Sequence, residues 1–150
     1  MRRRQDVARA IAALLAGATL LGCAPTAYQL QPYRDEPELG AVLSEAARQE
    51  CAARRGDDDL PPYYFTSDGC SMWPDSTWVE CCVLHDMAYW CGGSAGDREH
   101  ADQALRECVV LNGPAGMGTA MYVGVRAGGP PWFPVPFRWA YGWDWPHGYE

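Results

Sequence analysis

The stretch Cys81-Cys82-Val83-Leu84-His85-Asp86-Met87-Ala88-Tyr89-Trp90-Cys91 constrains this chain more than any other. Its paired cysteines pin the backbone, so that the side chains that follow point in definite directions. Those side chains include an imidazole, a carboxylate and a phenol within about three helical turns. A histidine beside an aspartate needs partners if it is buried, because both groups are costly to desolvate alone.

Four further cysteines, 23, 51, 70 and 108, bring the total to 7. Cys23 belongs to a different kind of segment. Arg2, Arg3 and Arg4 precede an apolar run from Ala10 to Gly22, too short to span a bilayer but of the right length for a signal-peptide centre. The run ends in Leu20-Leu21-Gly22-Cys23, which resembles the lipobox of bacterial lipoproteins, where the cysteine becomes the lipid-modified first residue. Residues 1–22 are therefore expected to be a lipoprotein signal peptide. The expected location is outside the cytoplasm, lipid-anchored to the bacterial cell envelope through Cys23.

Setting Cys23 aside leaves an even number of cysteines in an exported chain, the arithmetic of a three-disulfide framework. Thiolates beside His85 could in principle hold zinc, but export and the even count weigh against that. Removing residues 1–22 takes four arginines and Asp6 from the 12 basic and 19 acidic residues, leaving eight against eighteen. With no lysine and no basic stripe, the chain has no surface suited to nucleic acid.

Residues 23–36 read as a tether, and 37–150 as one domain. Leu39, Val42, Leu43, Ala46 and Ala47 recur at helical spacing within Glu38 to Arg55, with Cys51 near that face. The Arg54–Asp59 charge run ends this helix as a solvated loop. Asp68-Gly69-Cys70-Ser71-Met72-Trp73-Pro74 has the composition of a loop. Thr77 and Glu80 form a capping-box pattern that predicts a helix running to about Trp90, closed by Gly92-Gly93. His85 and Tyr89 then share a face at i and i+4. A second helix is expected from Asp97 to Leu111, stopped by Asn112-Gly113-Pro114, and the short turn between the two makes them antiparallel. Its inward face carries Ala101, Leu105 and Cys108, with Asp102 beside them. Pro114 to Gly129, rich in glycine, is expected to be a loose helix or close-packed connection, with Met117 and Met121 in the core. Residues 130–150 form an irregular Trp/Pro/Gly-rich extension, suited to packing or to a bilayer interface.

Cys81-Cys82-x-x-His85-Asp86-x-x-Tyr89, followed by a helix bearing Asp102 and Cys108, resembles the secreted calcium-dependent phospholipase A2 superfamily. The likeness covers residues 66–111. It implies that His85 is a general base activating water against the sn-2 ester of a glycerophospholipid. It also implies that Asp102 orients the imidazole, that Tyr89 holds Asp102, and that Asp86 binds Ca²⁺. The remaining calcium ligands would be carbonyls of the loop around Asp68, Gly69 and Ser71, which has one glycine where the family has more. The resemblance further implies bridges Cys70–Cys82 and Cys81–Cys108. Ala88 and Ala101 stand where a further family bridge would be, so both of its halves are missing together. Cys51 and Cys91 remain and can pair.

The fold expected is therefore mainly α, a small disulfide-stapled phospholipase A2-like domain with two antiparallel helices and an aromatic C-terminal extension. The activity expected is calcium-dependent ester hydrolysis at a phospholipid membrane surface. The alternative is a non-enzymatic lipid-binding or envelope lipoprotein that retains a degenerate scaffold of the same kind.

Overall fold

A computed structural model describes residues 36–133, 140–143 and 147–150. The expected signal peptide, Cys23, nearly all of the tether, and Phe137, Trp139 and Trp145 lie outside the described residues. Four α-helices carry the described fold, and no strand occurs among these residues.

Helix α1, Pro37–Arg55, begins with proline in its first turn and ends on Arg54 and Arg55, so its terminal residues suit the helix dipole. It buries only Ala47 and Cys51. The Asp57–Asp59 stretch closes as one 3₁₀ turn whose Asp59 accepts from Arg55 Nε and Nη2 at 2.9 and 2.6 Å. Helix α2, Val79–Cys91, is buried almost all round, from Val79, Cys81, Cys82 and Val83 to Tyr89, Trp90 and Cys91. It is the central element, with α1 on one side and α3, Ala95–Asn112, on the other. Helix α4, Met117–Gly128, packs on α3.

Two helix starts differ from the expectation. The Thr77/Glu80 pattern does not cap α2, which starts at Val79 after Trp78 with no side-chain cap. Thr77 instead donates its hydroxyl to the Asn112 carbonyl, tying the start of α2 to the end of α3. The capping box that forms is Ser94 with Asp97, at the start of α3, and it sets that helix two residues earlier than expected. The glycine-rich segment is a regular helix, α4. Gly118 has a packing reason: a Cβ there would lie 2.5 Å from the Arg106 carbonyl of α3.

Three cystines hold this frame: Cys51–Cys91 joins α1 to α2, Cys70–Cys82 joins the preceding loop to α2, and Cys81–Cys108 joins α2 to α3. Contacts between α2 and α3 run in opposite senses, Cys81 with Cys108, His85 with Asp102 and Tyr89 with Arg98, so the pair is antiparallel. One apolar cluster, around Val79, Leu105, Val109 and Met121, fills the space between α2, α3 and α4, with Met117 packed against it. A second, around Phe65, Val83, Met87 and Trp90, lies under α1.

Part of the aromatic extension belongs to the core. Tyr141 is wholly buried, donates its hydroxyl to the Gly92 carbonyl at 2.8 Å, and stacks edge-on against Tyr89. The backbones cross closely here, because a Cβ on Gly92 would meet the Gly142 Cα at 2.9 Å. Trp132 and Phe133, by contrast, are exposed. No helix of the described residues is long and apolar enough to cross a membrane.

Candidate active site

Antiparallel packing of α2 on α3 brings His85, Tyr89 and Asp102 together. Asp102 is completely buried, and its Oδ1 lies 2.8 Å from His85 Nε2 and accepts from the Tyr89 hydroxyl at 2.8 Å. Its Oδ2 accepts from Arg126 Nη1 at 2.7 Å, with Arg98 Nε at 3.7 Å. Burial pushes the Asp102 carboxyl up, but the bonds and charge of His85, then Tyr89 and Arg126, outweigh it and hold the group below its ordinary value. An ionised Asp102 accepts, so His85 carries its ring proton on Nε2. Nδ1 makes no hydrogen bond among the described residues, and there it has a free lone pair. Burial and the nearby Asp102 charge raise the Tyr89 phenol well above its ordinary value, so it stays a neutral donor.

The arginines had no signal in the sequence that marked them. Arg98 is 2 % exposed and spends all its donors inward. Its Nε donates to the Tyr89 hydroxyl at 3.1 Å, Nη1 to the Tyr149 hydroxyl at 2.7 Å, and Nη2 to the Val125 and Arg126 carbonyls at 2.8 and 2.9 Å. A guanidinium on the last carbonyls of α4 suits both their unpaired lone pairs and the helix dipole. Arg126 bridges Asp102 and Glu99, the latter at 3.2 Å. Only a long-range view finds these residues, since Arg126 comes from the segment that looked like a connection.

His85 forms part of the wall of an apolar cavity of about 770 Å³. The loop 66–73 and Asp86 form its polar side, and Leu105, Met121 and the end of α4 its apolar side. This volume falls in the range of small-molecule sites.

Asp86 faces a different environment from Asp102. Its Oδ2 accepts from the Ser67 hydroxyl at 2.6 Å, a residue the sequence reading passed over. Burial pushes Asp86 up to about 8, against the lowering effect of Ser67, and the charge of Asp68 adds to the rise. The Ser71 hydroxyl donates to Asp68, and the Gly69 amide to Ser67 at 3.1 Å. Gly69 is required where it stands: φ is +80, and a Cβ would lie 2.6 Å from Asp75. The loop next to it is also tight, since Met72 has φ 62 and is largely exposed.

The donors that Asp86, Asp68, Ser67 and the carbonyls of this loop offer are all oxygen, which fits a hard cation such as Ca²⁺ in kind. Among the described residues no group of three or more His, Cys, Asp or Glu is arranged to hold a metal ion, so a cation here would depend on carbonyls and water for most of its shell. The loop and Asp86 line the same cavity.

The three comparisons add no relative: no family model, no curated protein and no solved structure matches this chain.

Proposed function

We propose that this protein hydrolyses an acyl ester of a glycerophospholipid with the help of Ca²⁺, in the manner of the secreted phospholipase A2 enzymes its motif resembles. The observation that carries this reading is a buried His85–Asp102 pair in which His85 lines a large apolar cavity. A histidine held in one tautomer at the edge of an apolar space suits proton removal from a water beside a bound ester. Asp102 would stabilise the imidazolium that forms, and Tyr89 and Arg126 keep that carboxylate in place. The apolar side of the cavity, with Leu105 and Met121, would take an acyl chain and exclude bulk water.

Asp86 and the loop carbonyls would hold the cation. When bound, Ca²⁺ supplies Lewis-acid polarisation of the ester carbonyl. The lipid-modified Cys23 and a membrane-facing placement in the envelope belong to the same proposal.

The test is fatty-acid release from phosphatidylcholine vesicles, with calcium and with a chelator. Calcium-dependent release that disappears in His85→Gln is the expected result. No release from well-folded protein in calcium sinks the proposal.

A second reading, a non-enzymatic lipid-binding module, has one observation in its favour. Asp86 already accepts a hydrogen bond from Ser67 and is pushed toward its neutral form, an arrangement that needs no cation. A calcium titration followed by tryptophan fluorescence separates the two. Lipid binding without any calcium response points to the binding module.

A further inference from the structure

Helix α4 and its C-cap contain four glycines of two different kinds. Gly118 and Gly129 are forced by packing: a Cβ would lie 2.5 Å from the Arg106 carbonyl in the first case and 2.6 Å from the Tyr89 hydroxyl in the second. Gly124 and Gly128 are not forced. A Cβ on Gly124 would make ordinary contact with Trp73 at 3.6 Å, and a Cβ on Gly128 would meet nothing within 4 Å. Neither has the positive φ that would call for glycine. Glycine is nevertheless the poorest helix former after proline, so the helix gives up stability at Gly124 for no gain in packing. Both unforced glycines line the cavity, one helical turn apart on the same face as Met121. His85, 8 % exposed and bonded through Nε2 to Asp102, lines the same cavity.

We infer that Gly124 and Gly128 are the specificity-determining positions of this cavity: the volume their missing side chains leave open sets how long or bulky an apolar chain the site accepts. This rests on the reading of the cavity as a lipid site and deepens it, because it assigns the measure of the chain to one helix face. The chain of a single-tailed amphiphile would run past Trp73 along Gly124 toward Gly128. Filling that path should shorten the chain that fits without disturbing the dyad, which is held by Arg126 of α4 and by Arg98 of α3.

The experiment measures binding, and so needs neither turnover nor calcium. Octyl, dodecyl and hexadecyl phosphocholine, each below its micellar concentration, are titrated into the wild-type protein, Gly124→Val, Gly128→Leu and the control Val123→Leu. Val123 is exposed and is not part of the cavity wall. The readout is the fluorescence of Trp73, Trp90 and Trp143, which line the cavity. Each buried methylene is worth about fourfold in affinity, so losing contact with two or three should weaken hexadecyl binding by about tenfold or more. The octyl compound and the control should be unaffected.

Because replacing a helical glycine favours folding, Gly124→Val and Gly128→Leu should keep or raise the thermal midpoint, which excludes misfolding as the cause of a lost ligand. The inference is overturned if wild-type affinity does not depend on chain length, or if the glycine variants lose all chain lengths equally or none. Binding with the expected length shift but no fatty-acid release would sink only the hydrolytic reading. Release with an unshifted chain profile in Gly128→Leu would sink only this inference.

Discussion

Asp102 and Asp86 flank the same histidine, yet their surroundings are opposite. Asp102 is buried between two helices and accepts from His85, Tyr89 and Arg126, and it stays ionised. Asp86 lies against a loop, accepts from Ser67, faces the like charge of Asp68, and is pushed up to about 8. One half of the site is complete as it stands. The other half sets two carboxylates, Asp86 and Asp68, near each other, with Ser67 the hydrogen-bond donor to Asp86. A carboxylate on a helix can be partnered by neighbours at fixed spacings, whereas one facing an irregular loop depends on what that loop binds.

The largest effect that would break this contrast is on stability. Asp102→Ala leaves Arg126 and Arg98 without a buried counter-charge and should cost about 3–5 kcal/mol in urea unfolding. Asp86→Ala under the same conditions, at pH 8 without calcium, should cost far less. Equal costs would show that the two carboxylates are not differently satisfied.

Next in size is the Cys70–Cys82 bridge, which fastens the loop to α2. Replacing both with alanine should remove about 3 kcal/mol. Amide exchange should rise over residues 66–73 while α3 and α4 keep their protection. Loss spread evenly over the helices would mean that the two halves are one unit.

A third test uses opposite signs of pH dependence. The Asp86 proton is held more tightly folded than unfolded, so its contribution is full below the unfolded value near 3.8 and is lost as pH rises toward about 8. Between pH 6 and 7 the wild-type should therefore lose stability relative to Asp86→Asn. Asp102 has a lowered value, so its contribution is present above its unfolded value and disappears as pH falls through the folded one. Saturating calcium should flatten the Asp86 limb and leave the Asp102 limb alone.

The smallest effect expected is from Ser67→Ala, about 1 kcal/mol for one hydrogen bond. The Asp86 carboxyl signal should then titrate at still higher pH in ¹³C NMR.

The helices were legible because their stops were: Gly92-Gly93 and Asn112-Gly113-Pro114 each end a helix close to where the turn residues predicted. His85 and Tyr89 were legible on one face from their i, i+4 spacing, whereas the pairing of Asp102 with them was legible only through the resemblance of the motif. The first capping box misled because Thr77 found a better acceptor, the free Asn112 carbonyl at the end of α3, which no local pattern contains. Helix α4 was underrated for its glycines, whose value at Gly118 comes from contact with another helix. Ser67, Arg98 and Arg126 were missed for the same reason. Each acts across a long sequence gap, and each is an ordinary residue in its own neighbourhood.

The three cystines reach α1, α2, α3 and the loop, whereas α4 is joined to the rest by no disulfide. Besides the apolar packing of Met117 and Met121, what holds it near the dyad is Arg98 on its terminal carbonyls and Arg126 on Asp102. The cavity is thus fastened by two unrelated chemistries. A reductant releases the loop and the hairpin but leaves the guanidinium contacts intact, while acid that protonates Asp102 works on the α4 side and spares the cystines. The two walls can therefore be loosened one at a time, each by its own reagent.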